Sequence, residues 1–104
     1  MRVKVGCDIV EIKRFVDIDN KVLSKIFHKA ELSNKPESLA GIFAVKESVK
    51  KVFNDLDWHD IEVKKEKTGK PILILSKNNN IESCDISISH DGGYAFAVAV
   101  FILK

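Results

Sequence analysis

Two acidic residues stand out because of what surrounds them. Asp8 lies within Val5-Gly6-Cys7-Asp8-Ile9-Val10, where its neighbours are apolar or small. A carboxylate in such a setting needs a partner, because burying it unpaired is costly. It is placed either to cap the helix that follows or to ligate a cation. Glu47 precedes Lys51 by four residues on a helical stretch, the spacing of an ordinary surface ion pair. A carboxylate at a strand end with a second on a nearby helix also suits magnesium, which takes one or two carboxylates and completes its shell with water and substrate phosphates. That alternative implies a phosphate-bearing substrate.

Three further features carry charge or proton chemistry. At ~100° per residue, Leu39, Ile42, Phe43, Val45, Val49, Val52 and Phe53 share one apolar arc, and Lys46 falls inside it. Lys46 must therefore snorkel to an edge or reach a partner. Lys64, Lys65, Lys67 and Lys70 gather around the turn Thr68-Gly69-Lys70-Pro71, where a glycine permits close backbone approach to an anion. A merely solvated hairpin has the same composition. His90, ahead of Asp91-Gly92-Gly93, is a general base, a phosphate donor, a ligand or a structural residue.

The elements that must hold these groups follow from periodicity. Val3, Val5, Cys7 and Ile9 alternate with Arg2, Lys4, Gly6 and Asp8, which predicts an opening strand with Asp8 at its end. Asp19 or Asn20 can cap a short helix bearing Val22, Leu23, Ile26 and Phe27. Ser33 or Asn34 can cap a second helix, with Pro36 in its first turn, running to about Asn54. A hairpin follows, with strands in 59–67 and 72–75 around the Thr68 to Pro71 turn. After the polar loop Lys77-Asn78-Asn79-Asn80, a second hairpin turns at Asp91-Gly92-Gly93 into the apolar run Tyr94 to Leu103, both faces of which read as buried. The order strand, two main helices, then four strands predicts an α+β fold with a mainly antiparallel sheet in one domain, 1–104.

Composition narrows the class. Of 104 residues, 45% are hydrophobic, enough for a core and against disorder. Seventeen Lys and Arg against fifteen Asp and Glu leave +2, too mild for nucleic-acid binding by bulk charge, and no aromatic pattern typical of RNA readers is present. The Tyr94 to Leu103 run is half the ~20 residues of a membrane helix. The N-terminus lacks a secretory h-region, so the expected location is cytoplasmic, without membrane association. Cys7 and Cys84 show no zinc spacing and are expected as buried free thiols.

Taken together, Gly6-Cys7-Asp8-Ile9-Val10-Glu11-Ile12-Lys13-Arg14-Phe15 and Phe43-Ala44-Val45-Lys46-Glu47-Ser48-Val49-Lys50-Lys51 resemble two signature motifs of the holo-acyl carrier protein synthase family, the small bacterial type of 4'-phosphopantetheinyl transferase. Phe27 with Glu31, Ile61-Glu62-Val63 followed by Gly69-Lys70-Pro71, and Ile88-Ser89-His90 before Tyr94-Ala95 are similar to its remaining elements, in the same order. The chain departs from the pattern at His28, where the family usually has threonine, and at Phe53-Asn54-Asp55-Leu56, where it usually has a glycine-containing loop.

The resemblance implies the 4'-phosphopantetheinyl transferase fold and magnesium-dependent transfer of 4'-phosphopantetheine from coenzyme A to a serine of apo-acyl carrier protein, releasing adenosine 3',5'-bisphosphate. By the same match, Asp8 and Glu47 would hold the metal, with Glu47 and Lys51 catalytic. Lys46, Lys51, Gly69, Lys70, Pro71 and His90 would meet coenzyme A. The family is trimeric with sites between subunits, which implies a homotrimer here. Carrier proteins are acidic, so Arg14, Lys21, Lys25 and Lys29 form the expected docking run. The competing readings are a non-catalytic coenzyme A or nucleotide-binding relative and a metal-dependent phosphohydrolase.

Overall fold

A computed structural model describes residues 1–77 and 80–104, so Asn78 and Asn79 of the expected polar loop lie outside the described residues. The alternation at the N-terminus forms strand β1 (Arg2–Glu11), which pairs antiparallel along its whole length with β5 (Tyr94–Leu103). β5 pairs in turn with β4 (Ile81–Asp91), giving a three-stranded sheet in the order β1-β5-β4. The Thr68 to Pro71 turn joins β2 (Ile61–Lys65) to β3 (Pro71–Leu75) in a separate two-stranded antiparallel sheet. With α1 (Asn20–Ile26) and α2 (Pro36–Val52) the fold is α+β.

Local chemistry explains most boundaries. Asp19 caps α1, its carboxylate accepting from the Lys21 N–H at 2.8 Å. Pro36 opens α2, where a missing N–H costs nothing. The residue before it is Lys35, without a side-chain cap, while Ser33 Oγ accepts the Lys35 N–H at 3.1 Å, so neither Ser33 nor Asn34 caps the helix. α2 stops at Val52, two residues short of expectation, and β1 continues three residues past Asp8. Asp8 is thus an interior strand residue, opposite Ala97.

α2 packs across one face of the larger sheet, and that face is built from small residues. Ala95, Ala97 and Ala99 are fully buried, and Gly6 pairs with Ala99. A Cβ on Gly6 would collide with the Ser48 carbonyl oxygen, so only glycine lets helix and strand approach this closely. The Ser48 hydroxyl donates to Ala44 O at 2.7 Å and lies 3.3 Å from Ala97 O, a polar tie at the crossing.

The opposite face of the sheet is open. Val3, Val5, Ile9, Tyr94, Phe96 and Val100 are exposed there, so the final strand is buried on one side only. A single helix can cover just one face of a three-stranded sheet, and alternation delivers every second residue to the other. The same phase places Cys7 among the outward residues, and Cys84 is exposed as well, which corrects the expectation of buried thiols.

Candidate active site

The Gly6–Ser48 crossing brings β1 and the C-terminal half of α2 together, and Asp8 lies two residues further along the same strand face as Gly6. From α2, Lys51 reaches over to it. Its ammonium lies 3.1 Å from Asp8 Oδ1 and donates to Cys7 O at 2.9 Å. Lys51 therefore spans helix and strand instead of closing a surface pair with Glu47. Glu47 sits one turn earlier on α2, half-buried, and its carboxylate has no hydrogen bond or ion pair among the described residues.

Asp8 and Glu47 each keep carboxylate oxygens uncommitted, and Lys51 lies against Asp8 and one turn beyond Glu47 on α2. The donor set fits a hard divalent ion: two oxygen ligands of the protein's own, with the rest of the shell left to water and phosphate. Among the described residues no group of three or more His, Cys, Asp or Glu side chains gathers that could hold a metal by itself. Softer metals, which favour thiolate or imidazole, are not matched by this donor set.

Lys46, adjacent to Glu47 in sequence, has a different environment. It is completely buried, and its ammonium meets Glu31 Oε1 at 2.8 Å, Ile61 O at 2.8 Å, Ile26 O at 2.9 Å and Trp58 O at 3.2 Å. Glu31 is buried too and accepts the backbone N–H groups of His28 and Val63, each at 2.7 Å. Burial pulls the Lys46 pKa below the usual lysine range, with Glu31 pushing it back up. Lys46 neither snorkels nor faces an open surface. Its expected contact with a coenzyme A phosphate is corrected to a structural bond joining α2 to three other segments. Sequence reading identified Glu31 as part of a motif but not as this partner, for the two lie fifteen residues apart on different elements.

The remaining residues expected at coenzyme A lie toward the other end of α2. Gly69, Pro71 and His90 line a cavity of about 220 Å³ together with Ser38, Gly41 and Lys65. The His90 Nε2 lies 2.9 Å from Glu37 O, and since a carbonyl only accepts, Nε2 carries the proton. Lys70 turns away into a neighbouring groove, where its ammonium lies 3.3 and 3.4 Å from the Asp85 carboxylate oxygens. The Ile86 N–H and then Lys70 hold the Asp85 pKa below the usual range. Gly41 precedes Lys51 by ten residues, about 15 Å along the helix axis. The Asp8–Lys51 contact and this cavity therefore lie toward opposite ends of α2.

Arg14 lies on a 3-10 turn (Ile12–Phe15) directly after β1, Lys21 and Lys25 on α1, and Lys29 on a second such turn (Lys29–Glu31). All four are exposed, and none forms an ion pair among the described residues. The Arg14 guanidinium packs over the Phe43 ring, 5.3 Å from its centroid. No helix among the described residues is long and apolar enough to cross a membrane.

Residues 4–99 match the family model of the 4'-phosphopantetheinyl transferase superfamily. A holo-[acyl-carrier-protein] synthase from Sulfurovum sp. is 39% identical, the alignment covering 92% of this chain and 93% of the relative. One from Campylobacter fetus is 37% identical over 92% and 96%. The crystal structure of the Helicobacter pylori holo-[acyl-carrier-protein] synthase in complex with coenzyme A superposes with a TM-score of 0.88 at 35% identity, covering 95% of this chain and all of that one. The Bacillus anthracis enzyme, solved in complex with CoA (3',5'-ADP), gives 0.80 at 31% identity over 93% of each chain. With its motifs in order, its fold matched and nearly its whole length covered, the chain belongs to the holo-[acyl-carrier-protein] synthase family of 4'-phosphopantetheinyl transferases and is an enzyme of that family.

Proposed function

We propose that the protein transfers the 4'-phosphopantetheine group of coenzyme A to a serine of an apo-acyl carrier protein and releases adenosine 3',5'-bisphosphate. The observation that carries this reading is the Lys51–Asp8 contact that joins α2 to β1, one turn from Glu47 on the same helix, in a chain of this family. Asp8 and Glu47 hold magnesium in this reading. When bound, the ion offsets charge on the diphosphate and orients it. Lys51 supplies a positive charge beside the same point, where it stabilises negative charge building on the transferring phosphoryl or leaving phosphate. The cavity at Gly69, Pro71 and His90 takes the nucleotide end of coenzyme A, and Lys70 can turn from Asp85 to a phosphate.

The two regions toward opposite ends of α2 and the uncovered apolar face of β1 and β5 support a homotrimer in which neighbouring chains complete each site. In this reading residues 1–104 act as one domain in the cytoplasm, where coenzyme A and carrier proteins meet.

The direct test incubates the protein with apo-carrier, coenzyme A and magnesium, and weighs the carrier by mass spectrometry. A mass increase of one phosphopantetheine, dependent on the metal, is the expected result. Binding of coenzyme A with no mass gain would instead make the chain a non-catalytic binder. Coenzyme A breakdown without a carrier would make it a phosphohydrolase. Sedimentation of an active monomer would remove the trimer.

A further inference from the structure

Four side chains stack around Phe43 and Trp58. The Phe43 ring stacks on Trp58 at 5.3 Å and 27°, Arg14 covers Phe43, and the Lys50 ammonium lies 3.8 Å from the Trp58 centroid. The alternation is cation, ring, ring, cation. Arg14 and Lys50 come from different elements, and neither has an ion pair among the described residues. Phe15, in the core, packs against Phe43 with ring centroids 5.4 Å apart.

A cation held over a ring keeps its charge while losing the freedom that a solvated lysine has. Such a group contributes more to binding than a mobile one, because less side-chain entropy is lost on contact. Phe43 and Lys50 are two turns apart on α2, about 10 Å along its axis. A partner helix carrying carboxylates two turns apart presents the same interval. Lys50 also adjoins Lys51 and lies one turn from Glu47, so a partner held here stands next to the reactive corner.

We propose that Lys50, seated on Trp58, is a second fixed anchor beside Arg14 for the acidic face of the carrier protein. This rests on the reading of the protein as a carrier-modifying enzyme and extends its docking surface from the 14–29 segment onto α2.

Trp58 is the single tryptophan of the chain, so its fluorescence reports on the stack directly. Adding a tryptophan-free apo-carrier without coenzyme A should change that fluorescence saturably, and added salt should weaken the response. Lys50→Gln should raise both the carrier's Kd in this titration and its apparent KM roughly two- to fivefold, the range of a partly exposed charge pair. KM for coenzyme A should stay unchanged, and Lys50→Arg should restore carrier KM, since guanidinium stacks as well as ammonium. Trp58→Leu, which leaves the charge but removes its seat, should raise carrier KM by a smaller factor. Unchanged carrier KM in Lys50→Gln overturns the proposal, as does an equal rise in KM for coenzyme A. A rise in carrier KM confined to Trp58→Leu also overturns it, because the ring would then act through folding. If the unaltered protein neither modifies nor binds any carrier, the functional reading itself falls. If it modifies the carrier and Lys50 variants match it, only the anchor falls.

Discussion

Neighbouring positions of α2 place two lysines in opposite circumstances. Lys46 is sealed in the core with Glu31, and every polar atom of that pair has a protein partner. Lys51, five residues on, reaches Asp8 at an open edge beside a carboxylate with no partner of its own among the described residues. The first pair has no capacity left for a ligand, and its charges are fixed for good. The second has spare oxygens, spare donors and contact with water. Satisfied valences make architecture, and unsatisfied ones at a surface make a site.

Breaking the sealed pair should have the largest effect. Lys46→Met strands a buried carboxylate and should cost about 3 to 5 kcal/mol of stability, a large share of what a domain this size has. Urea or thermal melts measure it. Because the cost comes from the orphaned charge, Lys46→Met with Glu31→Gln should melt above Lys46→Met alone. A single variant as stable as the parent would show that the pair does not hold α2.

Breaking the open pair should separate activity from folding. Asp8→Ala and Glu47→Ala should each abolish transfer while melting close to the parent protein. Glu47→Gln should be nearly as damaging, since the amide keeps the shape and loses the charge. Near-normal turnover in any of the three would remove the metal corner. Lys51→Met is expected to be milder, lowering kcat more than it weakens coenzyme A binding, because the ammonium acts mainly on charge that develops during transfer. A pure binding defect would reassign Lys51 to ground-state recognition.

The smallest effect concerns exposed cations that belong to neither pair. Reversing Arg14 and Lys25 together should raise carrier KM several-fold, leave coenzyme A affinity unchanged and flatten the dependence on salt, which screens charges over ~8 Å near physiological ionic strength. Steady-state kinetics at two salt concentrations decide it. Untouched carrier kinetics would move docking off this face.

Local pattern was sufficient for much of this molecule. The alternation of 2–10, the wheel of 39–53 and the Asp91 to Gly93 turn specify strand, helix and hairpin because each depends only on neighbours within a few residues. Asp8 stood out by its apolar surroundings, whereas Glu47 and Lys51, spaced like an ordinary ion pair, owed their assigned roles to the motif resemblance. Pairing across the chain is another matter. Nothing near Lys46 names Glu31, and nothing near Gly6 names the Ser48 carbonyl that excludes a side chain there. Whether Cys7 or Ile9 is covered depends on how many layers lie on the sheet, and one helix leaves their side bare. Contacts between residues distant in sequence arise only once the chain has closed into three dimensions, so the partners of buried charges and the faces left open to solvent belong to the folded molecule.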